Sequence, residues 1–487
     1  MVLAKRIIAR LDIKGKQVIK GVCFEGLRVV NSVSNLINKY STLDIDEYFY
    51  SDAVASLYGR NALSDILKES TLNVNIPVTC GGGIRSVEDA TNLLASGADK
   101  LAINTAAVKN CSIINEIANR FGRQCVVLSI QARRSSRVSS GWEVMIESGR
   151  ERTGKCVGDW IDNLQNTGIG EVLVTSVDND GRMQGPDHSL IDFVSQKVKV
   201  PLIVGGGFAS EKTITNYINK NNISAICLGS ALHFNKVDIN QIKINLSKKG
   251  IVRQNNKISF LKKDNFSRKR ISLINYGMGN LESIYNALKN IGHDVKLTQN
   301  FDEIDKCDLI VLPGVGSFDN GIKELKSLNL FNKIKDLVKS GKPIIGICLG
   351  MQMLFDSSDE GEQTNGLGLL KGKVQSIDKF LKYENKSKNL NIKLPHVGWN
   401  NLTDTDGHID KFFDESMFNE YYYFVHSFGI DNIDNADIKS FFEYYSLKAL
   451  AFIKKENIIG FQFHPERSGL KGIQIINSAI NSLTQNI

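Results

Sequence analysis

Cys348 stands between two glycines in Gly346-Ile347-Cys348-Leu349-Gly350, after the apolar run Ile344-Ile345. That spacing matches the strand–turn–helix elbow that presents a nucleophile, here a thiol in place of a hydroxyl. The glycines admit a sharp turn and close helix–strand packing. A helix N-terminus behind the sulfur favours thiolate, the reactive form. A buried structural thiol is the plainer reading of any free cysteine. A nucleophile also needs a base, and the stretch IIGFQFHPERSG supplies His464 and Glu466 two positions apart. On an extended strand the pair shares a face. His464 can take or give a proton, while Glu466 holds its ring and stabilises imidazolium. Gly314, Val315 and Gly316 end another apolar strand, where backbone N–H groups can stabilise a tetrahedral oxyanion.

The N-terminal half carries different chemistry. Asp12, Asp52, Asp178 and Asp180 fall at or just after predicted strand ends, and Lys20 follows Asp12 in a glycine-flanked loop. Carboxylates so placed serve as general acids or bases, or simply cap helices and fix loops. Two glycine triplets, containing Gly82, Gly83 and Gly206, Gly207, also follow strands, and the next strands end in Asn104-Thr105 and Gly229-Ser230. Glycine lets backbone N–H groups approach an oxyanion closely, so each loop suits a phosphate. The plainer reading is a tight strand exit. Two such loops in symmetric positions predict a ligand with a phosphate at each end.

The elements needed to position these residues follow from a repeat. EYFYSDAVAS, PVTCGGGIRS and KLAINTAA recur in the same order as EVLVTSVDND, PLIVGGGFAS and AICLGSALH. Short, continuously apolar strands alternating with helical periods indicate a buried parallel sheet. Two four-strand copies predict a (β/α)8 TIM barrel over residues 1–252, with the aspartates on its C-terminal face. A polar, basic stretch, 253–269, predicts a linker. Residues 270–487 repeat a strand, glycine-rich turn and amphipathic helix, which predicts an open α/β domain.

Composition narrows the function classes. The chain has 487 residues, enough for two or three domains. No apolar run reaches the roughly 18–20 residues of a membrane span, and the N-terminus lacks the pattern of a secretory signal. The eight cysteines are scattered without a CxxC pair, so no metal cluster or disulfide framework is expected and a cytoplasmic location is. The net charge of +8 is dispersed, which predicts a solvated surface and no nucleic-acid partner. No cofactor is expected.

The second unit resembles the class I glutamine amidotransferases, and NYGMGNLESIYNAL, LPGVGSFDNG, GICLGMQMLF, LPHVGWN and YYFVHSFG resemble the glutaminase subunit of imidazole glycerol phosphate synthase. KRIIARLD, CGGGIRS, GADKLAINTAA, TSVDNDG and GSALHF resemble the cyclase subunit of the same family. The resemblance implies that Cys348, His464 and Glu466 form a triad that hydrolyses glutamine. It implies that Gly316, Gln352, Glu360, His426 and Ser427 surround that substrate. It further implies phosphate contacts at Gly181 besides the loops above, and a barrel mouth including Thr175. Ammonia, which protonates in neutral water, would pass through the barrel by a gate of Arg6, Glu47, Lys100 and Glu171. An intramolecular barrel–glutaminase interface is implied.

One position departs from the family. Asp12 matches one of two cyclase aspartates, but the second should lie in VVLSIQARR, where Gln131 stands. Glutamine cannot exchange a proton near neutral pH, and general acid–base catalysis contributes about 10²–10⁴-fold. Arg10 replaces an expected small residue. IARLD and ESGRERTG resemble a paralogous group tied to surface-polysaccharide synthesis, in which ammonia goes to a third protein. The acceptor is thus either a phosphorylated small molecule in the barrel or a separate acceptor enzyme.

Overall fold

The computed structural model describes residues 3–55, 63–72, 74–220, 222–253, 267–384, 392–407, 413–431, 433, 436–445 and 447–485. Eight parallel strands close on themselves in the order Arg6–Lys14, Glu47–Asp52, Val78–Gly81, Lys100–Ile103, Val126–Arg134, Glu171–Ser176, Leu202–Gly205 and Ala225–Leu228. The last pairs with the first, and Glu171–Ser176 pairs with Val126–Arg134 to keep the ring continuous. Most of these strands are buried along their whole length, because helices cover the outer face and packed side chains fill the inside. Ile8, Phe49, Ala102, Val127, Leu173, Ile203, Ala225 and Cys227 form that internal layer. The expected TIM barrel is therefore present. Two hairpin excursions rise from its C-terminal face, Gln17–Val22 with Glu25–Ser32, and Trp142–Ile146 with Glu151–Cys156.

The second unit is built on an eight-stranded sheet, ordered Asp294–Thr298, Arg270–Ile274, Leu309–Leu312, Ile344–Ile347, Ile458–Phe461, Leu447–Lys455, Ile438–Tyr444 and Thr403–Gly407. Its first five strands are parallel and its last three antiparallel. This is the expected α/β architecture. Residues 254–266 of the expected linker lie outside the described residues. Arg253 belongs to the barrel base, where it pairs with Asp46 at 2.5 Å.

The two units meet at the N-terminal end of the barrel strands. Ala4 bridges Trp399, and Trp399 donates to the Asp46 carbonyl at 3.1 Å. Asp99, just before the strand Lys100–Ile103, accepts from Asn280 at 2.9 Å and from Arg467 at 2.9 Å. The buried Arg467 guanidinium also donates to the Gly97 and Val74 carbonyls, at 2.6 and 2.8 Å. Arg467 follows Glu466 directly, so one contact joins the barrel base to the turn carrying His464 and Glu466. No described helix is long and apolar enough to cross a membrane.

Candidate active site

The strand Ile344–Ile347 stops at Cys348, whose backbone turns to φ 51°, ψ −108° before the helix Leu349–Met353 begins. A non-glycine residue rarely holds a positive φ, and such strain persists only where surroundings fix it. Here the Cys348 N–H donates to the Phe461 carbonyl at 2.6 Å. A Cβ on Gly350 would lie 1.9 Å from the Leu312 carbonyl oxygen, and one on Gly346 2.8 Å from Met351. Only glycines at both positions allow the elbow to close. The helix behind the sulfur has only five residues, so the elbow's constraint, and not a long dipole, defines the position.

His464 and Glu466 do not lie along one strand, contrary to expectation. The strand ends at Phe461, and Pro465–Arg467 forms a 3-10 turn. Pro465 favours that turn because its φ is preset and it has no N–H to satisfy. The turn folds Glu466 back so that its Oε1 lies 2.8 Å from His464 Nδ1. Burial alone disfavours imidazolium. The Glu466 carboxylate and the Cys348 sulfur outweigh burial and push the His464 pKa well above its ordinary value. His464 Nε2 has no hydrogen-bond partner among the described residues. The three residues are brought together, all at least 95% buried.

Gln462 is a functional candidate that the sequence reading missed. Its amide reaches Cys348 Sγ at 3.7 Å, and its Oε1 accepts from Gln352 at 3.1 Å. Gln462, His464 and Glu466 share a two-residue spacing, which is the signal that was available. Gln352 also donates to the Phe428 carbonyl at 2.9 Å. His426 pairs with His396 at 3.1 Å and with the Phe428 carbonyl at 2.7 Å, and burial lowers its pKa to about 4, so it is neutral. Ser427 Oγ is buried without a hydrogen-bond partner among the described residues. Glu360 accepts from the Phe318 N–H at 2.9 Å, and burial pushes its carboxyl up to about 7. Gly314 accepts from the Leu349 N–H at 3.4 Å beside the elbow. Val315 packs against the barrel core, and Gly316 holds φ 155° against Met278.

Each of the four gate candidates opens a barrel strand at the glutaminase end. Arg6 binds Glu47 at 2.7 Å and Glu171, while Lys100 binds Glu47 at 2.8 Å and Glu171 at 2.5 Å. The result is a closed ring of alternating charge, every member at most 1% exposed. At that burial each ion depends on its neighbours in the ring, and Glu47 also accepts from Thr79 Oγ1 at 2.6 Å.

At the opposite end the mouth is clamped. Asp12 accepts from Arg10 at 2.7 Å and from Lys20 at 2.8 Å, and Lys20 also binds Asp180 at 2.7 Å. Burial opposes the charged form of Asp12, but Arg10 and Lys20 win and hold its pKa well below the carboxylate range. Arg10 further reaches Thr175 Oγ1 at 3.4 Å and lies over Phe24 and Phe49. Gln131 faces this group with a buried Oε1 that has no hydrogen-bond partner among the described residues. Asp52 Oδ1 accepts from the Val54 N–H at 3.0 Å, and Asp178 Oδ2 from the Arg134 N–H at 2.8 Å; each fixes a loop.

The glycine loops adopt left-handed backbones, with φ 96° and 74° at Gly82 and Gly83, 93° and 86° at Gly206 and Gly207, and 77° at Gly181. Gly229 lies beside Lys20, 3.5 Å from its Nζ to a Cβ position, and Ser230 Oγ is buried without a hydrogen-bond partner among the described residues. In the other half Asn104 donates to the Met145 carbonyl at 3.1 Å, and Thr105 Oγ1 accepts from the Glu147 N–H at 3.1 Å. Glu147 was not singled out from sequence; it sits on a hairpin whose reach over the mouth no local pattern reveals.

Fold and site together define a glutamine amidotransferase fused to a cyclase-type barrel. Residues 6–238 match the family described as histidine biosynthesis protein, and residues 272–480 match class-I glutamine amidotransferase. The chain is 55% identical over 202 residues to the imidazole glycerol phosphate synthase subunit HisF of Legionella pneumophila, covering 42% of this chain and 94% of that protein. It is 37% identical over 249 residues to the HisF subunit of Natranaerobius thermophilus, covering 51% of this chain and 98% of that protein. Against the HisF subunit of Prochlorococcus marinus strain MIT 9515 the figure is 40% over 256 residues, covering 52% and 100%. The chain belongs to the HisF-type histidine biosynthesis family, with a class-I glutamine amidotransferase domain on the same polypeptide, and it is an enzyme.

Proposed function

We propose that the chain hydrolyses glutamine at Cys348 and passes ammonia through the barrel, as an imidazole glycerol phosphate synthase. The observation that carries this reading is the elbow of Cys348 beside a His464–Glu466 pair 2.8 Å apart. Cys348 attacks the carboxamide, and His464 protonates the departing nitrogen. Its pKa, raised by the Glu466 carboxylate and the Cys348 sulfur against burial, favours the protonated form that this role needs. Glu466 stabilises the imidazolium, backbone N–H groups of Gly314–Gly316 face the oxyanion, and water then releases glutamate. Glutamine is held by Gln352 and Glu360, with His426 and Ser427 at the pocket wall. Arg6, Glu47, Lys100 and Glu171 gate the ammonia. Family membership supports phosphoribulosyl-formimino aminoimidazole carboxamide ribotide as acceptor. The products are imidazole glycerol phosphate and aminoimidazole carboxamide ribotide, with the two phosphates at the paired glycine loops and Asp12 as an acid–base group.

A second reading has a specific observation in its favour. Gln131 carries no proton to exchange, and the Arg10–Asp12–Lys20 clamp keeps the remaining carboxylate ionised. In that reading ring closure is impaired, and the ammonia serves a separate enzyme that amidinates a surface-polysaccharide sugar. Supplying the purified chain with the ribotide and an ammonium salt separates the two. Imidazole glycerol phosphate at several turnovers per second supports the first reading; its absence, with glutamine turnover intact, leaves the second.

A further inference from the structure

The strand His396–Asn401 presents different partners to its two faces, because side chains alternate along a strand. Val397 and Trp399 pack with Ala4 at the barrel base. His396 and Asn400 turn into the glutaminase core, where the His396 ring stacks on Phe424 and Phe442 at 4.9 and 4.8 Å between centroids. His396, Asn400 and His426 are all buried. His396 and Asn400 stand at the head of a chain of hydrogen bonds that ends at Gln352, in the glutamine pocket.

The direction of that chain is fixed from both ends. Asn400 Oδ1 accepts from the Asn401 N–H at 3.0 Å, so the amide cannot simply be reversed. Its Nδ2 donates to the Glu443 carbonyl at 2.9 Å and to His396 Nε2 at 3.3 Å. His396 Nε2 is therefore the bare nitrogen, and Nδ1 carries the hydrogen. That hydrogen faces His426 Nε2, 3.1 Å away. At the far end the Phe428 carbonyl can only accept, so His426 Nδ1, at 2.7 Å, is a donor. Burial keeps both rings neutral: it holds the His396 pKa well below its ordinary value and lowers that of His426 to about 4. A neutral His426 with its hydrogen on Nδ1 has a bare Nε2, as the argument from Asn400 requires. The Phe428 carbonyl also accepts from Gln352 Nε2 at 2.9 Å, and the second hydrogen on that nitrogen goes to Gln462 Oε1 at 3.1 Å. With both hydrogens committed, Gln352 offers its Oε1 to the substrate in one orientation.

We infer that His396, oriented by Asn400, is a positioning residue for glutamine binding: its Nδ1–H fixes His426 and, through the Phe428 carbonyl, the Gln352 amide that meets the substrate. The inference rests on the glutaminase reading of the Cys348 site. Two measurements on the full chain test it. The first is steady-state glutamine hydrolysis, with thermal melts, for wild type, His396→Phe and His396→Asn. Phenylalanine keeps a ring for the aromatic stack and deletes the donor. The amide nitrogen of asparagine takes the place of imidazole Nδ1 and restores it. A contact that serves ground state and transition state alike appears in KM and leaves kcat. The expected result is a KM for glutamine raised about tenfold in His396→Phe with kcat kept, and most of that loss recovered in His396→Asn. A merely structural role would lower the melt and the active fraction of both variants and leave KM unchanged. The second measurement is NMR of wild type labelled at its histidine nitrogens, with the His396 signals assigned by their loss in His396→Phe. Both His396 and His426 should be neutral Nδ1–H tautomers. An unchanged KM in His396→Phe, a folded His396→Asn that binds glutamine no better than His396→Phe, or an Nε2–H tautomer at either ring overturns the inference. A wild type that turns over no glutamine would count against the glutaminase reading alone, since the tautomers are read without turnover.

Discussion

The glutaminase site and the barrel mouth sit at opposite ends of the same set of strands, and they treat their ionisable groups in opposite ways. Around Cys348, strain and burial leave polar atoms unsatisfied: among the described residues His464 Nε2 and Ser427 Oγ have no hydrogen-bond partner. At the mouth, Asp12 is answered by two cations and Lys20 by two carboxylates. A group poised for proton transfer needs a pKa near the working pH. His464 is pushed up as a potential acid by a neighbouring carboxylate, whereas Asp12 is driven down by Arg10 and Lys20, which hold it in its ionised form. The difference teaches that burial alone does not make a catalytic group. The partners decide whether buried charge is available or locked.

That contrast can be broken in three places. The largest effect is expected at Gln131. Gln131→Asp restores a titratable carboxylate at the mouth, and ring closure measured with the ribotide and ammonium should rise by about 10²–10⁴-fold. No gain would show that the clamp on Asp12, and not the missing acid, limits the mouth. Next comes the ring that separates the two sites. Lys100→Met leaves Glu47 and Glu171 with Arg6 alone, and urea unfolding should show a loss of about 3–5 kcal/mol. A much smaller loss would mean that the ring is not a coupled unit. The smallest effect is expected at Glu360. Its folded pKa, about 7, lies above its unfolded value, so its contribution to stability is full below the unfolded pKa and disappears as pH rises through about 7. Glu360→Gln removes that dependence. Relative to wild type the variant should gain on the order of 1 kcal/mol between pH 5 and pH 8, a figure reduced for partial exposure. An unchanged pH slope would place the carboxyl in water.

Much of the fold was legible because burial leaves a strong local pattern. The apolar strands and the repeated glycine triplets gave the barrel, and Gly346 and Gly350 gave the elbow, since no other residue fits 1.9 Å from a carbonyl oxygen at position 350. The His464–Glu466 pairing was legible as a motif but not as a geometry, because Pro465 starts a turn where a strand was expected. Gln462 was passed over although it shares their spacing. The clamp was only half legible: Arg10 lies two residues from Asp12 on one strand, but the arrival of Lys20 depends on how the hairpin strand Gln17–Val22 folds back. Glu147 was hidden for the same reason, being far in sequence from the glycines it faces.

The most direct test of the account is the identity of the reacting thiol among eight cysteines, seven of which have no assigned role. The chain should be incubated with the glutamine-directed electrophile 6-diazo-5-oxo-L-norleucine, digested and mapped by mass spectrometry. A single adduct on Cys348, accumulating in step with loss of glutamine turnover, is the result expected. Inactivation with the adduct on any other cysteine, or turnover that survives full modification of Cys348, would contradict it.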